Sequence, residues 1–186
     1  MSSNSWNQTL ITSQIDGAAL ASSTTATSLL PGAAKFNMPA NLLKIGDQLR
    51  IRAAGRIGTV VTTPGTLTLD VRAGASTVLF NGGAMNLNVT AQTNASWWFE
   101  AMLTVRAIGT TANFLGMGIW QSRALVGSAA VAAGGVGELV LPDTAPAVGS
   151  NVDSTASFVL DLFGTWSISN ASNTILVHQF EAALLT

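Results

Sequence analysis

His178 is the single histidine of the chain. A Ser-His-Asp hydrolase would have to use it, because imidazole is the side chain that takes and returns a proton near neutral pH. It falls in a strand-forming run over residues 174–180, with Leu176 and Phe180 at its own parity. No Gly-x-Ser-x-Gly stretch, which would present a nucleophile on a sharp turn, accompanies it. We therefore expect a histidine that fills a buried or interface strand position.

Other chemistries find less to work with. The chain has no cysteine, which removes disulfides and thiolate metal sites. Asp143 and Asp153 flank one predicted loop and are of the type that holds Ca²⁺, but no EF-hand spacing surrounds them. Glu100, Glu138, Asp161 and Glu181 are candidates for the paired carboxylates of glycoside hydrolysis, yet no spacing singles out two of them. Gly82-Gly83 and Gly134-Gly135-Val136-Gly137 do not open helices, so neither is a phosphate loop. Trp97, Trp98, Trp120 and Trp166 have the ring chemistry to stack on sugars, but their strand positions favour core and subunit packing. Trp6 stands apart, near the N-terminus, where it can anchor in a neighbour's pocket. The expectation is a protein that is not an enzyme, with no catalytic, cofactor-binding or metal site.

The elements that carry these residues read as strands. From Ala156 to Ile168 apolar or small residues recur at every second position, with Val159 and Phe163 as exceptions. That is the period of a strand with one face on a core. Asn170-Ala171-Ser172-Asn173 supplies a turn, and the run around Ile175 to Phe180 completes a predicted C-terminal hairpin. A second long strand is expected over 96–108, with Trp97, Phe99, Ala101, Leu103 and Val105 inward. Leu49, Ile51, Ala53 and Ile57 share a parity opposite to Arg50, Arg52 and Arg56. The turn Thr62-Thr63-Pro64-Gly65 then predicts a hairpin with Leu67, Leu69 and Val71. In that pairing, Asp70 and Arg72 would make cross-strand ion pairs with the arginine strand. Short strands are expected over 33–38, 76–80, 85–91 and 138–141, and loops over 127–137 and 143–154.

No helix-period segment of useful length is present. Eight or more strands spaced by Gly, Pro and Asn turns predict an all-β fold. Long middle and terminal strands favour a jelly-roll-type antiparallel β-sandwich. Residues 1–31 are rich in Ser, Thr and Ala, carry only Asp16 as a charge and show no period. They are read as an extended N-terminal arm, with the sandwich domain over 32–186.

Only 9% of the 186 residues are charged, where about 25% is usual. A surface that poor in charge is expected to pack against copies of itself or a larger assembly, since solvated monomers keep mixed charges. The outward residues Trp98, Met102, Val159 and Phe163 point to a homo-oligomer, with a trimer preferred. The formal net charge of −1 gives no footprint for nucleic acid. The longest apolar run, over 124–137, is short of the roughly 20 residues of a spanning helix, so no membrane partner is expected. No basic, apolar leader is visible, which points to assembly in the cytoplasm.

Several blocks together carry a resemblance. They are Trp6-Asn7-Gln8-Thr9-Leu10-Ile11, Lys35-Phe36-Asn37-Met38-Pro39-Ala40-Asn41 and Gly46-Asp47-Gln48-Leu49-Arg50-Ile51-Arg52-Ala53-Ala54-Gly55-Arg56. The run Thr62 to Arg72 and the run Trp166 to Ile175 belong with them. The chain resembles small structural proteins of tailed bacteriophages and their prophages. The resemblance implies a jelly-roll virion component, trimeric and attached to the capsid exterior; we read it as a decoration subunit whose arm reaches the major capsid protein, another virion protein or an adjacent protomer. It carries over no functional residue. The alternative is a receptor- or carbohydrate-binding module of a tail or fibre tip, with ligand residues in the loops over 73–94 or 126–153.

Overall fold

The computed structural model describes residues 7–128, 137–143 and 147–186. Its strands in the first half are β1 (Asn7–Thr12), β2 (Leu20–Ala21), β3 (Thr27–Ser28), β4 (Phe36–Met38), β5 (Gln48–Thr59), β6 (Thr66–Ala73), β7 (Thr77–Asn81) and β8 (Met85–Leu87). There follow β9 (Gln92–Ala107), β10 (Ala112–Ser122), β11 (Leu125–Ser128), β12 (Glu138–Leu141), β13 (Ala147–Val152), β14 (Phe158–Trp166) and β15 (Thr174–Leu185). Among the described residues the only helical element is a 3₁₀ turn, Gly32–Ala34.

The strands pair antiparallel into two sheets. Sheet A runs β1-β15-β5-β9-β10-β12, with β2 beside β15 and β13 beside β10. Sheet B runs β11-β8-β6-β14-β3, with β4 beside β14 and β7 beside β6. The chain passes back and forth between the sheets: β1 and β2 in A, β3 and β4 in B, β5 in A, β6 to β8 in B, β9 in A, and finally β14 in B and β15 in A. β15 returns between β1 and β5, and β14 between β3 and β6, which is the interleaving of a jelly roll. The expected all-β, jelly-roll-type sandwich is what forms. Between β9 and β14 the chain adds β10, β12 and β13 to sheet A and β11 to sheet B.

Alternation explains the core. In β9 the residues Ala95, Trp97, Phe99, Ala101, Leu103 and Val105 are buried, as the period of two predicts. Leu49, Ile51 and Ile57 of β5 join them, facing Leu67, Leu69, Leu160, Leu162 and Trp166 of sheet B. The rings of Phe80 and Phe99 meet across the layers at 6.2 Å. Trp97 and Trp120 stack within sheet A, with centroids 4.8 Å apart and planes 12° from parallel.

Three expectations need correction. Both predicted hairpins are sheet-to-sheet crossings, because alternation tells which face is inward but not which strand is the neighbour. β5 pairs with β15 and β9, and β6 pairs with β14. The buried amide of Asn173 ties the two crossings together, accepting from the Val60 N–H at 2.9 Å and donating to the Pro64 carbonyl at 2.8 Å. The loop expected over 143–154 contains β13, disguised by its small and polar residues. Gly149 lets β13 press on β7, since a Cβ there would lie 2.3 Å from the Leu79 carbonyl oxygen.

The third correction concerns the N-terminal segment. It is extended, but residues 7–31 are built into both sheets: β1 and β2 pair with β15, and β3 with β14. Leu20, Leu29 and Leu30 lie in the core, and the Leu20 carbonyl accepts from the Trp166 indole at 3.3 Å. Edge strands this short bury too few side chains to show a period, which is why the sequence reads as an arm. Trp6 lies outside the described residues.

Removing residues 1–28 is therefore expected to abolish cooperative melting, because it takes one edge from each sheet. Leu29→Ala in the full chain should cost about 2–5 kcal/mol in urea melts. A truncated chain that melts like its parent would make the segment an appendage after all.

Candidate functional site

The outward face of sheet A is set by register. Gln179 of β15 stands opposite Ala54 of β5, and Ala54 opposite Trp98 of β9. One step along, Glu181, Arg52 and Glu100 form the next row, which continues into Ile119 of β10 and Val140 of β12. Beyond it Arg50 stands beside Met102, and Met102 beside Met117.

Four charges in the middle of this face are paired. Arg52 Nε donates to Glu100 Oε2 at 2.7 Å, and Arg50 Nη2 to Glu181 Oε1 at 3.0 Å. Glu100 keeps the Arg52 guanidinium above its ordinary pKa, chiefly through that hydrogen bond. Cross-strand ion pairs were expected for these arginines, but their partners come from β9 and β15 rather than from Asp70. On the far half of the face stand four outward apolar residues, Met102, Met117, Val140 and Val148, the last three each more than half exposed. On the near half lies a hollow of about 270 Å³, walled by Trp98 and floored by Ala54, with Gln179, Arg52, Glu181 and Thr12 around it.

The other candidates resolve as follows. Of the four strand tryptophans, Trp97, Trp120 and Trp166 are buried and only Trp98, 38% exposed, reaches the surface. His178 is not on the face of Phe180. It is the extra residue of a β-bulge between Val177 and Gln179, and its half-exposed imidazole meets Asp16, Nδ1 to Oδ1, at 2.9 Å. Ser13 nearby donates its hydroxyl to the Ile15 carbonyl at 2.6 Å. Glu100 and Glu181 share the sheet A face, each in its arginine pair, while Glu138 accepts from the Gln121 amide. Asp161 lies on the other sheet, held by Lys35 at 2.7 Å and the Ser28 hydroxyl at 2.8 Å. Asp153 accepts from the hydroxyl and N–H of Thr155, which hold its carboxyl below the ordinary range. Among the described residues no three His, Asp or Glu side chains gather as a metal site.

The two loops named for a ligand do meet. Ser76, Thr77, Asn81, Ser150 and Asn151 line a depression of about 590 Å³ where β7 abuts β13. No aromatic or charged side chain lines it among the described residues.

On sheet B the expected apolar outer patch is only partly there. Val159 is exposed but Phe163 is buried, because the Arg72 guanidinium lies over its ring at 4.5 Å. Arg72 is in turn held by Asp70 Oδ2 at 2.8 Å and the Ala75 carbonyl at 2.9 Å. Burial pushes the Asp70 carboxyl above its ordinary pKa, against the opposing pull of Arg72. Its second oxygen, Oδ1, is buried without a partner.

No family model matches the chain, and no curated protein matches it. Among solved structures it is similar to the CBM2 module of Lactobacillus casei BL23 phage J-1 evolved Dit, at 9% identity and a TM-score of 0.25. That match covers 81% of this chain and 67% of the other. At that level the likeness assigns neither a ligand nor a partner.

The Asp70 environment gives a pH dependence. A carboxyl whose pKa rises on folding contributes stability below its unfolded titration and loses it as pH rises through the raised folded value. Asp70→Asn should therefore gain on the parent between acidic and neutral pH, as read by urea melts at both. A variant that loses ground as pH rises would mean that the Arg72 pair outweighs desolvation.

Proposed function

We propose that this chain is a non-enzymatic structural subunit of a tailed-bacteriophage particle, a decoration protein that packs as a trimer on the outside of the head. The observation that carries this reading is the treatment of charge. The chain has eight basic and nine acidic side chains, and many are turned on one another: Lys35 with Asp161, Arg50 with Glu181, Arg52 with Glu100, and Arg72 with Asp70. Arg50, Arg52, Glu100 and Glu181 thus put no net charge on the middle of the sheet A face to keep two copies apart. The apolar strip of Met102, Met117, Val140 and Val148 then offers a second copy a surface that water does not favour. The sequence resemblance supports the phage setting, and jelly rolls serve as capsid building blocks.

Attachment to the major capsid protein takes a different form from a free arm. With residues 7–31 built into the sheets, β1 is the outer strand of sheet A. Its outer edge, unpaired among the described residues, is the natural place for a capsid segment to add a strand.

The alternative, a glycan- or receptor-binding module at a tail or fibre tip, draws support from the hollow at Trp98. Cryo-microscopy of the intact particle separates the two. The proposal expects threefold clusters of this chain on the head, with the Met117 strip against a neighbouring copy. Density at a tail tip, or a head-bound subunit whose strip faces solvent, would overturn it.

A further inference from the structure

We infer that the hollow beside Trp98 is a binding subsite for one ring of a neutral pyranose sugar. Its position owes nothing to the apolar strip, and the inference stands apart from the self-assembly reading. The four strand tryptophans are not alike: among them only Trp98 is placed on the outward face of its strand and reaches the surface. On the β5 side nothing large stands across from it: its partner there is Ala54, and beyond that comes Gln179, while on the β10 side it is level with Gln121, whose amide donates to Glu138. A methyl group on the floor leaves the indole standing as a wall rather than packed under a neighbour.

The rest of the lining is of the right chemistry. A pyranose presents C–H groups on its faces, which suit an aromatic ring, and hydroxyls around its edge. Thr12, Ser13 and Gln179 bring hydroxyl and amide groups to the hollow, and Arg52 and Glu181 bring a donor and an acceptor. Small-molecule sites are commonly such concavities, with an apolar surface and a few convergent polar groups. The hollow, at about 270 Å³, is below the roughly 300–1,000 Å³ that takes drug-sized ligands, so it suits a single ring.

The charge balance decides the class of sugar. Arg50 and Arg52 are matched on this face by Glu100 and Glu181, in two ion pairs. The hollow therefore has no excess of either sign to select a phosphorylated, sialylated or uronic ring. A neutral sugar is the occupant it fits.

The test titrates the full chain with lactose, cellobiose and diacetylchitobiose at millimolar concentration, by calorimetry and saturation-transfer NMR. Parent, Trp98→Ala, Trp98→Phe and Ala54→Leu are compared, with a melt of each. The expected result is binding of at least one sugar by the parent. Trp98→Ala should weaken it at least about tenfold, and Ala54→Leu should do the same by filling the hollow with the indole intact. Trp98→Phe should retain most of the affinity, and the melting temperatures of all four should agree. No binding of any of the three sugars by the parent would overturn the inference. So would binding by Trp98→Ala or Ala54→Leu at parental strength. The native mass of the same samples keeps the two readings apart, since a monomer that binds sugar defeats only the assembly proposal.

Discussion

The fold and its outward surface both depend on one bulge in β15. Val177 pairs with Gly55 and Gln179 with Ala54, so His178 is left over. The inward residues change parity there, from Ile175 and Val177 to Phe180, Ala182 and Leu184. A shift of one residue moves every side chain to the other face, so the bulge decides what β15 shows to the core and to solvent. Gly55 makes room for it, because a Cβ at that position would sit 1.8 Å from the Leu176 carbonyl oxygen. The N-terminal segment closes over it. Ser13 and Gly17 donate to the Phe180 and Val177 carbonyls, each at 2.9 Å, and Asp16 between them meets the His178 imidazole. Downstream of the bulge the register places Gln179 level with Ala54 and Trp98, and Glu181 level with Arg52 and Glu100.

That dependence explains what could be read from the residues alone. The alternation of β9 is long and unbroken, so its core face was legible residue by residue, and so was the outward placing of Trp98 and Met102. His178 was misplaced because a bulge leaves no mark on an apolar pattern; reading through it joined Leu176, His178 and Phe180 on one face. The pairing partners were hidden for a related reason. β5 and β6 carry matching patterns because they face one core from opposite sides, and a turn signal such as Pro64-Gly65 serves a crossing as well as a hairpin. β1 to β3 were invisible as strands because they work at the edges, with Leu20 and Leu29 as isolated anchors in a polar segment.

The candidate site was legible in its parts and not in its assembly. Trp98, Arg52, Glu100 and Glu181 could each be named, but the sequence separations of Arg52 from Glu100 and of Arg50 from Glu181 are 48 and 131. Ala54 and Gln179 carried no signal at all, since an alanine matters here only for the space it leaves. The arginine ladder also shapes the surface. With the carboxylates held by guanidinium groups, the face has local polarity but little net field. It can approach a copy of itself without the repulsion that keeps most soluble chains apart.

We propose that this face, with its central ion pairs and its strip of Met102, Met117, Val140 and Val148, brings copies of the chain together. Light scattering of the isolated protein at micromolar concentration tests it most directly, beside a Met117→Glu, Val148→Glu double variant. The account predicts a parent mass near three times the 19.1 kDa of one chain, and a variant that melts like the parent yet runs as a monomer. A parent that stays monodisperse and monomeric would contradict it.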